Sequence, residues 1–194
     1  MTTLSLVRKS VPMLQGIRLL NRGKVRDTYD LGNGLLLSVA TDAVSIFDFV
    51  LNALVPDKGM VLTAMTHFWM TLLEKHGVCK THLVAAGFAI DEYLPGALRG
   101  NADLQSRALV VKALKMVPVE FVARGYLTGS VLKEYQTTGK IFGLDMPTGL
   151  QDGDELPFVL DTPTTKATEG HDLPMDRDQV RAKYPEETET LLRV

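Results

Sequence analysis

Polar and apolar residues alternate with period two from Lys24 to Leu31: Lys24, Arg26, Thr28 and Asp30 are polar, while Val25, Tyr29 and Leu31 are apolar. Only Asp27 breaks the pattern, which is that of a half-buried strand with Lys24 and Arg26 on one face. Gly32-Asn33-Gly34 follows, residues that tolerate positive φ, and then the apolar run Leu35 to Ala40. Together they predict a hairpin whose second strand is central. Between Leu62 and His76 the bulky residues fall at Leu62, Met65, Trp69, Leu72, Leu73 and His76, the spacing of one helix face, which places Trp69 in the core. Arg107–Lys112 and Val117–Arg124 predict two more strands. In the second, Glu120 and Arg124 project from the same side, and Pro118 marks an edge or a strand start. Ser130 to Thr138 predicts a helix opened by a serine cap and closed by Gly139. Gly143 to Pro174, dense in Gly, Pro, Asp and Thr, is longer than an ordinary connection and reads as a functional or disordered loop.

Strands dominate the first part of the chain, with helices inserted but no regular strand-helix alternation, so the predicted class is α+β. The 194 residues are 45% apolar and 23% charged, enough for a real core in one compact domain or two small lobes. A net charge of −2 gives no global pull toward nucleic acid or anionic membrane, so any anion site must be local. The lone Cys79 forms no internal disulfide and no multi-thiolate metal site, which is consistent with a reducing compartment. Met1 to Asp27 scatters cations among its apolar residues and lacks a signal-peptide stretch. No window approaches membrane-spanning length, and the expected location is cytoplasmic.

The segment richest in candidate chemistry is Arg124-Gly125-Tyr126-Leu127-Thr128-Gly129-Ser130, a strand end passing through a glycine-bounded turn into a helix start. Backbone N–H groups, the helix dipole, the Ser130 hydroxyl and the Arg124 fork suit a phosphate. The plainer reading has Ser130 capping a helix and Arg124 paired with Glu120. Gly23-Lys24-Val25-Arg26-Asp27 lacks Walker A spacing but puts two cations on one strand face, as in loops that cover nucleotide phosphates and on many solvated strands alike. Asp42, in Ala40-Thr41-Asp42-Ala43, sits at the end of the apolar strand, where it either contacts a ligand or accepts backbone N–H bonds in a turn. Thr162 to Lys166 and Gly170-His171-Asp172 form a polar cluster inside the long loop. His67, His76, His82 and His171 make no zinc pattern, no nucleophile elbow is present, and Cys79 has no neighbouring base. Magnesium held by carboxylates and phosphates leaves no such fingerprint and stays open.

Taken in order, Gly23 to Asp27, Ala40 to Asp48, Pro56-Asp57-Lys58-Gly59, Val117 to Glu120, Arg124 to Ser130 and Thr162 to Asp172 resemble the SAICAR synthetase family. The resemblance implies a two-lobed α+β fold, with an ATP cleft between a kinase-like N-terminal lobe, residues 1–115, and a partial C-terminal lobe for nucleotide and aspartate, residues 116–194. It implies ATP and Mg2+, and a reaction in which phosphorylation of carboxyaminoimidazole ribonucleotide (CAIR) lets the amine of L-aspartate form an amide in purine biosynthesis. By position it implies that Gly23, Lys24 and Arg26 meet ATP phosphates and that the segment from Lys112 to Met116 borders the adenine. Arg124 and Ser130 would hold the ribonucleotide 5′-phosphate. Asp42 would orient the imidazole nucleotide, and Lys166 and Asp172 would line the nucleotide and aspartate pocket, these three being the catalytic candidates. Glu120 either supports Arg124 or faces the ATP cleft. The expected partners are small molecules, with neither nucleic acid nor membrane, and a homo-oligomer is compatible with the sequence.

Two departures from the family pattern stand out. Ala43 replaces the arginine of the usual Thr-Asp-Arg, which predicts weaker binding in the cleft. The family's later Asp-Thr-Lys-x-Glu-Phe-Gly and Pro-Asp-Ser-Ser-Arg motifs, which the resemblance makes magnesium and substrate contacts, do not occur. Tyr184-Pro185 and Glu186, Glu187 and Glu189 read as a helix start, and the sequence stops at Val194 without a stop signal, as if cut within the element. The rival readings are a catalytically silent nucleotide-binding remnant and a phosphotransferase, the latter lacking kinase signatures.

Overall fold

The computed structural model describes residues 13–46, 49–166 and 172–192, so Asp48, Gly170 and His171 of the sequence motifs lie outside the described residues. Two compact units are present, Met1–Lys115 and Met116–Val194, each with its own buried apolar cluster. Helices and antiparallel strands are mixed in both, an α+β architecture.

The first unit runs β1 (Arg18–Arg22), β2 (Arg26–Gly32), β3 (Leu35–Ala40), β4 (Ala43–Ile46), β5 (Phe49–Leu54), α1 (Lys58–Lys75), β6 (Leu83–Ala86), α2 (Ala102–Arg107) and β7 (Ala108–Lys112). Five of these strands form an antiparallel sheet in the order β1-β2-β3-β7-β6, with β3 at its centre. The expected hairpin is present: Asn33 and Gly34 both take positive φ, 52° and 72°, the turn that matches the right-handed strand twist. Leu37 and Val39 of β3 point with Tyr29 and Val110 into the core. The ladder begins at Arg26, not Lys24, because the Gly23 N–H turns back onto the Arg26 carbonyl at 2.8 Å. A Cβ on Gly23 would stand 2.8 Å from that oxygen, so the turn excludes other residues. Asp27 is buried and accepts from Arg22 Nη2 at 3.1 Å across the β1–β2 pair, which explains the break in the alternation. β7 starts at Ala108, and Arg107 ends α2 instead.

The helix expected from Leu62 to His76 exists as α1, but its orientation is the reverse of the prediction. Its buried residues are Gly59 and Thr63, whereas Leu62, Met65, Phe68 and Trp69 are exposed, Trp69 to 53%. Small residues let α1 approach closely: a Cβ on Gly59 would lie 2.7 Å from the Ala40 carbonyl oxygen and 2.9 Å from Arg107 Nη1. The Thr63 hydroxyl donates to the Arg107 carbonyl at 3.0 Å. Periodicity marks an apolar stripe but carries no information about which face meets the sheet.

The second unit contains β8 (Val119–Glu120), β9 (Ala123–Tyr126), α3 (Ser130–Thr138), β10 (Lys140–Ile141), β11 (Leu144–Asp145), β12 (Glu155–Asp161), β13 (Thr164–Thr165), α4 (Arg177–Lys183) and α5 (Pro185–Leu192). The single strand expected over Val117–Arg124 is two. Val119 and Glu120 pair with Thr165 and Thr164, while Ala123 and Arg124 pair with Asp161 and Leu160. The break at Phe121-Val122 faces the break at Thr162-Pro163, and the Val122 carbonyl receives the Thr162 N–H at 2.9 Å. Part of the expected long loop is therefore sheet, because β12 buries Leu156 and Leu160 against Leu127 and Val131. Flanking Gly, Pro and Asp residues hide that strand from a compositional reading. α5 has Pro185 at its first position, as expected. No helix among the described residues is long and apolar enough to cross a membrane.

Candidate functional site

In the second unit β9 delivers Arg124 and the start of α3 delivers Ser130 to one cavity of about 350 Å³, lined also by Glu134, Thr162, Thr164 and Asp172. Local chemistry explains the serine. The residue at the cap position is Gly129, with φ 67°, and no side chain caps the helix. Ser130 is the first helical residue, so the serine cap expected from the sequence is corrected: the hydroxyl takes no side-chain hydrogen bond among the described residues, and the residue lines the cavity. At the far end Gly139, with φ 70°, closes the helix as expected.

Arg124 does not pair with Glu120. Its Nε donates to the Thr162 hydroxyl at 3.0 Å, and its terminal nitrogens take no partner among the described residues. Glu120 instead forms an ion pair with Lys166, whose ammonium it holds above its ordinary pKa through that hydrogen bond. Asp172 adds a smaller electrostatic contribution to Lys166 in the same direction. Lys166 does not line the Arg124 cavity, although Asp172 does. The structure therefore joins Arg124, Ser130 and Asp172, and sets Glu120 with Lys166 beside them. Thr162, Thr164 and Glu134 also line the cavity without having been candidates of their own. Thr162 and Thr164 carried a signal only as part of a polar cluster.

The candidates of the first unit lie apart along β3. Arg26 is the register partner of Ala40, at one end, and Lys112 that of Leu35, at the other. At about 3.3 Å per residue this separates them by roughly 16 Å along the strand. Gly23 and Lys24 belong to the turn at the Arg26 end, and Lys24 and Arg26 are exposed. Lys112, in the first unit, and Met116, in the second, are exposed as well.

Asp42 is buried, and its Oδ1 accepts from the Gly59 N–H at 2.9 Å and from Arg107 Nη1 at 3.0 Å. Burial opposes its ionisation, but the Gly59 and Arg107 bonds outweigh it and hold the carboxyl below its ordinary value. Through Oδ1 its carboxylate holds the start of α1. Arg107, also bonded through Nε to Asp103 at 2.8 Å, was missed because it reads as the first residue of a strand. Ala43 is fully buried beside this cluster in sequence. Among the described residues no group of three or more His, Cys, Asp and Glu side chains converges on a metal-sized site. Mg2+ held by one or two carboxylates together with substrate phosphates does not require such a cluster.

A family model described as SAICAR synthetase matches residues 19–193. Over 159 residues the chain is 46% identical to the phosphoribosylaminoimidazole-succinocarboxamide synthase of Pelobacter propionicus, covering 81% of this chain and 52% of that protein. It is 44% identical to the synthase of the same name from Streptomyces avermitilis, covering 96% of this chain and 60% of that one. A solved structure, the SAICAR synthase of Saccharomyces cerevisiae complexed with SAICAR, superimposes with a TM-score of 0.79 at 36% identity, over 93% of this chain and 60% of that one. The chain thus spans between half and three-fifths of the length of these relatives. With matching motifs, fold and sequence, the chain belongs to the SAICAR synthetase family.

Proposed function

We propose that this chain carries the ribonucleotide-binding part of an ATP-dependent ligase that joins L-aspartate to CAIR. The observation that carries the reading is the convergence of Arg124, Ser130 and the start of α3 on one cavity of the second unit. A 5′-phosphate suits it: the terminal guanidinium nitrogens of Arg124 match two phosphate oxygens, the Ser130 hydroxyl donates to a third, and the helix start favours negative charge. The yeast relative's complex with SAICAR supports an imidazole ribonucleotide as the occupant.

In this reading a CAIR carboxylate oxygen attacks the γ-phosphorus of ATP and the bond to ADP breaks, because oxide is a poor leaving group and phosphate a good one. The aspartate amine then attacks the acyl carbon, phosphate departs with the bonding electrons, and the nitrogen gives up a proton as the amide forms. Such a site gathers several anions, so local cations do the work that a chain of net charge −2 cannot do globally. Gly23, Lys24, Arg26 and Lys112 serve ATP. Lys166 and Asp172 serve the nucleotide and aspartate. Asp42 enters as a positioning residue, since its carboxylate is bonded to Gly59 and Arg107.

The test is a coupled assay of ADP release, expected to require both aspartate and CAIR. Binding of the ribonucleotide without aspartate-dependent turnover would support the second reading, a nucleotide-binding protein without ligase activity.

A further inference from the structure

Thr162 is only 1% exposed, yet it borders the Arg124 cavity and its hydroxyl makes two hydrogen bonds. It donates to the Val122 carbonyl at 3.2 Å and accepts from Arg124 Nε at 3.0 Å. A hydroxyl has one proton, so donation to Val122 directs a lone pair at the arginine and fixes the polarity of the contact. Its backbone N–H also reaches the Val122 carbonyl, at 2.9 Å, so the threonine is held in place independently of its side chain. Arg124 therefore has its inner nitrogen anchored and its two terminal nitrogens without protein partners among the described residues.

We infer that Thr162 is a positioning residue for phosphate binding, which orients the Arg124 guanidinium so that its terminal nitrogens are presented to the ligand's phosphate. The inference rests on the reading of the cavity as a phosphate site and adds a residue to it. Without the Thr162 hydroxyl the guanidinium keeps its charge but loses the contact that selects one rotamer, and the ligand must order it on binding.

The experiment compares the full chain with Thr162→Val, which keeps the shape, and Thr162→Ser, which keeps the hydroxyl. The probes are 5-aminoimidazole-4-carboxamide ribonucleotide and its unphosphorylated riboside, titrated calorimetrically. Loss of one charge-assisted orienting bond is expected to weaken ribonucleotide binding by about fivefold to twentyfold in Thr162→Val. Riboside binding should stay unchanged, and Thr162→Ser should stay within about threefold of the parent. Equal weakening of ribonucleotide and riboside, a Thr162→Val protein that binds like the parent, or a serine variant as weak as the valine one would each overturn the assignment of Thr162 alone. A parent chain that does not prefer the phosphorylated ligand would overturn the phosphate reading itself, and this inference with it.

Discussion

Arg107 Nη1 donates to Asp42 Oδ1 at 3.0 Å across 65 residues of sequence, and both side chains are almost entirely buried. This contact joins the end of β3 to the end of α2, and the Gly59 N–H on the same carboxylate oxygen brings in the start of α1. Three elements thus meet on one ion pair.

Removing one partner of such a pair leaves a buried charge unpaired. Arg107→Ala is expected to cost about 3–5 kcal/mol in urea denaturation at pH 7. The pH dependence follows from the lowered pKa of Asp42. A carboxyl held below its unfolded value contributes stability above that value and loses it as pH falls through the folded one. Stability should therefore decline as pH falls from about 5 through the unfolded Asp value near 4 and below. Asp42→Asn should be less stable at neutral pH and show a flatter acid limb. An acid limb as steep as in the parent would remove Asp42 from this role.

For the cavity, Arg124→Ala should weaken ribonucleotide binding by about 1.5–3 kcal/mol, measured by calorimetric titration. Arg124→Lys should recover only part of this, because a lysine keeps the charge but has neither the planar fork nor an Nε to meet Thr162. A lysine variant equal to the parent would mean that charge alone is recognised.

Trp69 is the single tryptophan of the chain, so its fluorescence reports one site. At 53% exposure its emission should be that of a solvated indole and should be readily quenched by acrylamide. Trp69→Ala should cost less than about 1 kcal/mol, where a core tryptophan would cost about 3–5. Blue-shifted, protected emission would restore the buried face expected from the periodicity.

The contrast between Trp69 and the β2–β3 hairpin shows what kind of information a sequence holds. The hairpin was legible because Asn33 and Gly34 decide their own backbone angles, and the neighbouring alternation decides which residues face the core. The presence of α1 was legible for the same local reason, while its first turn and its burial were not, because Gly59 and Thr63 make close approach to Ala40 and Arg107 better than a bulky stripe would. β12 was hidden by the Gly, Pro and Asp residues around it and became a strand through pairing with β9.

The candidate site divides in the same way. Arg124 through Ser130 pointed to a candidate anion site by itself, since a glycine-bounded turn into a helix start is a local construction. That Glu120 pairs with Lys166, that Thr162 anchors Arg124 from 38 positions away, and that Asp42 is bonded to Arg107 depend on strand pairing between distant segments. By itself, then, the sequence determined the hairpin, the presence of α1, the α+β class, the glycine-bounded turn into a helix start and the family resemblance, because each rests on neighbouring residues or on the order of short motifs. Only the tertiary structure decided which side chains meet, because side-chain partners are chosen by register and packing between segments that nothing local connects.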